Sequence, residues 1–138
     1  MEAQISKHFT WREALWLPSW GREATEQDGL TDAVCVDLAD LFAVMEVVRR
    51  LCGDRPINVH CAYRPAAYNK EVGGATRSAH ITGQAVDFDV AGMSCDEVRA
   101  LLLPSLPKLG MRMECKPGSN WVHVDRADDR PGARYFIP

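Results

Sequence analysis

The chain has 138 residues, of which 46% are hydrophobic and 25% charged, and its formal net charge is -3. That size and balance suit one folded domain with a usable core. Lys and Arg are scattered without a like-charge run, which argues against nucleic acid as a partner, and no apolar run approaches the ~18 residues that a membrane span needs.

The segment Met1–Phe9 has no apolar stretch of the signal-peptide kind. The expectation is a chain made in soluble form in the cytoplasm, monomeric, that acts elsewhere only after release or export. Residues 1–30 read as irregular, with one short helix signal. Thr10 and Glu13 form a capping-box pattern, Ala14 to Leu17 follow, and Pro18 should end the turn. Trp11, Trp16 and Trp20 are dense for so short a segment. They either pin this arm onto the domain or place one ring in a substrate groove.

The strongest helix signal runs from about Thr31 to Leu51. Val34, Leu38, Leu41, Phe42, Met45, Val48 and Leu51 recur at three and four residues. Thr31 can cap its start, Arg49 and Arg50 suit its carboxyl end, and Gly53 is a stop signal. Ile57–Tyr63 alternates as a strand. Arg64–Gly83 reads as a long loop with a helical turn near Ala66–Glu71, and a loop of that length is usually functional or disordered. Gln84–Val90 is the next strand. Ser94 and Glu97 open a helix through Leu103 that Pro104 and Pro107 interrupt. Gly110–Glu114 and Asn120–Asp125 are strands joined by the turn signal Lys116-Pro117-Gly118-Ser119. In the tail after Ala127, Tyr135, Phe136 and Ile137 are candidates to pack back. The five cysteines (35, 52, 61, 95 and 115) are odd in number and include no Cys-x-x-Cys pair. They read as reduced thiols rather than a disulfide framework or zinc knuckle.

Side chains alternate along a strand, so each of the last three strands has an apolar and a polar face. Val86, Phe88 and Val90 oppose Ala85, Asp87 and Asp89. Val122 and Val124 oppose Trp121, His123 and Asp125. Met111 and Met113 oppose Arg112 and Glu114. If these strands lie side by side, Asp87, His123 and Glu114 share one surface, and His80 leans over it from the preceding loop. Two histidines and one carboxylate form a zinc set that leaves a position open for water. Glu114 is then the candidate general base, and Gly83 lets the backbone turn between the first two ligands. The bland alternative for Glu114 is a solvated strand-end carboxylate paired with Arg112 or Lys116. Asp89 and Asp125 could support ligand histidines or be salt-bridged. Trp121 reads equally well as a cleft wall or a partly buried aromatic. His8 and His60 lack motif context.

Ser78-x-His80-x-x-Gly83-x-Ala85-x-Asp87, followed downstream by Trp121-Val122-His123, resembles the signature of the D-Ala-D-Ala carboxypeptidase family of zinc peptidases. The phage and bacterial carboxypeptidase-like branch is also similar in Tyr63-Arg64-Pro65, Tyr68-Asn69, Gly73-Gly74 and Phe9-Thr10-x-x-Glu13. The resemblance implies an α+β fold of the hedgehog/DD-peptidase kind over residues 1–138, with an antiparallel sheet packed on helices around a zinc cleft. It implies Zn2+ on His80, Asp87 and His123, with Glu114 and Arg64 as catalytic residues. It further implies a substrate surface of Arg64, Ser78, Trp121 and Tyr63. The implied partner is a peptidoglycan stem peptide, and the implied activity is zinc-dependent hydrolysis of a bond in it. The short chain resembles a phage or prophage lytic endopeptidase. A D-Ala-D-Ala carboxypeptidase, or an inactive zinc-containing wall-binding module, is the alternative. One departure stands out: well-known members carry Glu-x-x-His, and the position three residues before His123 is Asn120.

Overall fold

The computed structural model describes residues 3–126 and 134–136. The element that organises the fold is the helix α2, Asp32–Leu51, capped by the Thr31 side chain, which accepts from the Val34 amide. Its apolar stripe, Leu38, Leu41, Phe42, Met45 and Val48, is fully buried. Burying side chains of this size contributes about 1.5–3 kcal/mol each.

Before α2 the chain is more ordered than its composition suggests. Two small antiparallel hairpins flank a five-residue helix: β1 (Gln4–Ser6) pairs with β2 (Phe9–Thr10), and β3 (Trp16–Leu17) with β4 (Arg22–Glu23). Helix α1, Trp11–Leu15, opens on the expected Thr10/Glu13 capping box. It stops at Leu15 rather than at Pro18, because Trp16 turns extended and pairs with Glu23. A 3-10 turn, Glu26–Asp28, leads into α2. Trp11 and Trp20 pack against the core and pin this arm. Trp20 donates to Glu71 and meets the Tyr68 ring edge-on at 5.0 Å, while the Ser19 amide donates to the Tyr68 hydroxyl.

After α2 come β5 (Ile57–Cys61), α3 (Ala66–Glu71), a 3-10 turn (Ala79–Thr82) and β6 (Ala85–Val90). Helix α4 (Cys95–Leu102) begins at the Ser94/Glu97 capping box. Pro104 and Pro107 do not end the helical path. Each sits in the first turn of a new short helical piece, Leu103–Ser105 and then α5 (Leu106–Leu109), where no amide bond is lost. Strands β7 (Arg112–Glu114), β8 (Val122–Asp125) and β9 (Tyr135–Phe136) complete a five-stranded sheet of order β5-β6-β8-β7-β9. The ladders are antiparallel except the last, where β9 runs parallel to β7. The expectation of a purely antiparallel sheet is corrected to that extent. Of the tail, Tyr135 and Phe136 do pack back, whereas residues 127–133 and Ile137 lie outside the described residues.

The fold is thus mixed α+β, with a sheet packed on helices. The expected strand alternation holds. Val86, Phe88, Val90, Met111, Met113, Val122 and Val124 all enter the core under α2, leaving the opposite face of the sheet for polar residues. All five cysteines are free.

Candidate metal centre and active site

The polar face of β6, β8 and β7 forms the floor of a cleft of about 600 Å³. Its geometry comes from register. Asp87 on β6 lies opposite His123 on β8, and Arg112 on β7 lies opposite Asp125 on β8. Met113 lies opposite Val124, the last pair of that ladder, and Glu114 follows at the end of β7 and lines the cleft. Neighbouring strands are about 4.8 Å apart. Asp87 and His123 therefore stand in a row across adjacent strands, and Glu114 lines the same cleft from the end of β7.

His80 reaches the row from the side. Ser78 caps the 3-10 turn by accepting from the His80 amide, and Gly83 closes it in the left-handed conformation at φ 73°. A Cβ on Gly83 would lie 3.1 Å from Val34 and Leu38 side-chain carbons. The turn is thus seated directly on α2, which fixes where His80 points. Its Nδ1 bonds the Ala62 carbonyl at 2.6 Å, leaving Nε2 3.3 Å from Asp87 Oδ2.

His123 is held at both nitrogens. Nδ1 is 2.8 Å from Asp87 Oδ1, and Nε2 is 2.9 Å from Asp125 Oδ2. Burial works against a charge on this ring, but the bonds to Asp125 and Asp87 outweigh it and raise its pKa to about 9. Burial likewise pushes the Asp87 carboxyl up, and the bonds from His123 and His80 win, holding it well below the usual carboxylate range. Asp125 behaves the same way: burial is overcome by His123 and Arg112.

Donor atoms of His80, Asp87 and His123 all lie within 4.8 Å of one another. Two imidazoles and a carboxylate suit zinc, and the arrangement around them fits that use. In each histidine the nitrogen away from Asp87 is bonded to a fixed acceptor, Ala62 O or Asp125, as ligand histidines require. The nitrogens facing Asp87 are the ones a metal would take.

The remaining expected residues fall around this centre. Arg64 lies 3.4 Å from Asp87 Oδ2 and donates to Asn69 Oδ1 at 3.3 Å, and its own amide bonds the His80 carbonyl. Asn69 is itself anchored on the Ala75 carbonyl. Gly74 makes room for this: a Cβ there would sit 2.1 Å from Asn69 Oδ1 and 3.1 Å from Arg64 Nη1. Ser78, Glu114 and Trp121 line the cleft. Both partners that would have made Glu114 a mere ion-pair member are engaged elsewhere. Arg112 forks onto Asp125, and Lys116 lies over the Trp121 ring at 5.5 Å.

Tyr63 is the exception. It is 3% exposed and belongs to the apolar core, so it does not line the cleft. The strand ends at Cys61, and the chain direction beyond it is not set by alternation. Asp89 pairs with His60 and Asn58, and His8 with Glu46, all outside the cleft lining. Arg112 and Phe136 also line the cleft, and neither is a site residue on sequence grounds. The parity of Arg112 with Glu114 was the available signal. Phe136 had none beyond an apolar tail.

A family model described as Peptidase M15 matches residues 18–125, and the chain belongs to that family. This is the family of zinc peptidases that includes D-Ala-D-Ala carboxypeptidase-like enzymes, and it makes the chain a peptidase of the hydrolase class. No curated protein matches the chain. Among the described residues no helix is long and apolar enough to cross a membrane.

Proposed function

We propose that residues 1–138 form one zinc-dependent peptidase domain that hydrolyses a peptide bond in peptidoglycan stem peptides, cutting as an endopeptidase. The observation that carries the reading is the convergence of His80, Asp87 and His123 in a cleft that Glu114 also lines, in a chain of the Peptidase M15 family. In this reading His80 Nε2, an Asp87 oxygen and His123 Nδ1 hold the ion. When bound, zinc supplies a Lewis acid and brings the pKa of water towards neutrality.

The chain's own residues do the rest. The Glu114 carboxylate takes the proton of the attacking water and delivers it to the departing amine nitrogen. The Arg64 guanidinium, planar and permanently charged, faces the developing oxyanion, a type of stabilisation worth about 2.7–4 kcal/mol per donor. Ser78 orders the His80 turn and offers its hydroxyl to substrate. Trp121 forms one wall.

Cutting within a peptide is favoured by the cleft's two flanks. Val72, Gly73 and Ala75, from the segment after α3, line it together with Trp121 and Phe136, from the start of β8 and from β9. Substrate can thus be held on both sides of the scissile bond. The test is mass spectrometry of muropeptides after digestion of sacculi, with and without chelator. New amino termini inside the stem, absent with chelator, are expected. Release of terminal D-Ala alone would make the enzyme a carboxypeptidase, and no release from any wall chemotype would overturn the reading.

A further inference from the structure

Arg112 is a buried cation on the cleft floor that the chemistry above leaves without a role. Its Nε and Nη2 fork onto Asp125 Oδ1 and Oδ2 at 2.8 and 3.0 Å. Asp125 is 1% exposed, and its Oδ2 is also the partner of His123 Nε2. The guanidinium carbon lies 4.4 Å from the centre of the Phe136 ring, and that ring meets His123 edge-on at 6.0 Å. Three strands thus close on one imidazole: Arg112 from β7, Asp125 from β8 and Phe136 from β9.

A charged carboxylate in so buried a place needs a partner that satisfies both oxygens, or it costs several kcal/mol. A bidentate arginine meets that need and leaves Asp125 as an acceptor only. An acceptor at Nε2 obliges His123 to keep a proton there, so Nδ1, on the Asp87 side, is the nitrogen that would give up its proton to a metal. We propose that Arg112 is a positioning residue of the metal centre: through Asp125, and with Phe136 as its lid, it fixes the tautomer and the plane of His123. The inference rests on the zinc reading of the site and adds a residue that acts on the ligand set through Asp125 rather than as a ligand itself.

Metal affinity reads this directly, without turnover. Zinc would be titrated into the stripped full chain by competition with a chromophoric chelator, and cobalt(II) absorption recorded. Arg112→Met, which keeps length and apolar packing, should weaken zinc binding about 10- to 100-fold and alter the cobalt spectrum. Arg112→Lys, which keeps charge but loses the fork, should recover only part of the loss. Asp125→Asn should weaken zinc similarly, and adding Arg112→Met to it should cost little more, since the two act through one contact. Circular dichroism of the stripped proteins keeps misfolding apart from lost affinity. If Arg112→Met folds poorly, the Asp125→Asn comparison with Arg112→Lys carries the test. Variants that bind zinc as tightly as the parent, with the parent's cobalt spectrum, would overturn the role of Arg112 alone. A parent that binds no zinc would overturn the metal reading itself.

Discussion

Asp87 and His123 are 36 residues apart in the chain, yet they are direct partners on the β6–β8 ladder and touch at 2.8 Å. The contact depends on register. A one-residue slip of either strand would carry its member of the pair into the apolar core. Val86, Phe88, Val122 and Val124 on the opposite face forbid that slip, so the hydrophobic core and the ligand set are fixed by the same alternation.

Removing a ligand should therefore remove metal without unfolding the sheet. His80→Ala and His123→Ala are each expected to lose stoichiometric zinc and to fall to background activity. Elemental analysis of the purified proteins, with circular dichroism as the control for folding, measures this. Either variant retaining one zinc per chain would take that histidine out of the ligand set.

Gly74 should matter although it has no side chain. A methyl group there collides with Asn69 Oδ1, which holds the Arg64 guanidinium beside Asp87. Gly74→Ala is expected to displace Arg64 and lower kcat/KM roughly tenfold or more, because misplacing an oxyanion donor is costly. Zinc content should be unchanged. Parent-like kinetics on a soluble muropeptide would show that Arg64 does not need this support.

Gly83→Ala is expected to act on stability. The site demands φ 73° and a Cβ 3.1 Å from Val34 and Leu38. Strain of this kind costs about 1–3 kcal/mol, which a thermal melt of the metal-free protein would read as a fall of several degrees. An unchanged melting temperature would mean that the His80 turn is not seated on α2.

The pH dependence of the metal-free chain comes from His123. Its folded pKa is raised to about 9 from an ordinary value of 6.5. A raised basic group stabilises the fold fully below the unfolded pKa and loses that contribution as pH climbs through the folded one. Between pH 6.5 and 9 the stripped protein should therefore lose stability steadily, as measured by urea midpoints. His123→Ala should flatten this window. A parent profile as flat as the variant's would contradict the double hydrogen bond at His123.

Long periodic elements were legible in the sequence. The stripe of α2 from Leu38 to Val48, the two capping boxes and the alternation of β6, β7 and β8 survive, because each is a local pattern tied to burial, whereas Leu51 at the end of the expected stripe is exposed. From that alternation alone came the shared face of Asp87, His123 and Glu114. The two hairpins before α2 were illegible, since strands of two or three residues carry no period. Strand β9 was illegible because its pairing with β7 is non-local and parallel. Tyr63 entered the expected substrate surface through its place beside Arg64 in the family resemblance, and neighbours in the chain past the last ladder residue need not face the same way. Asn120 in place of a carboxylate looked like a gap in the site. Glu114 lines the same cleft as His123 but comes from another strand, β7 rather than β8.

In the proposed mechanism Glu114 moves protons and does not hold the ion. Glu114→Gln should keep one zinc per chain and lose about 10²–10⁴ in kcat, the usual range for a positioned acid-base group. Retained turnover on muropeptides would assign the base to another residue.

The most direct measurement is a zinc titration of activity. The chain is stripped with chelator, zinc is returned in sub-stoichiometric steps, and release of new amino groups from muropeptides is followed. Hydrolysis absent from the stripped chain, rising in proportion to zinc and levelling at one equivalent, is the predicted result. Hydrolysis that persists in the stripped chain, or that zinc fails to restore, would contradict a peptidase built on His80, Asp87 and His123.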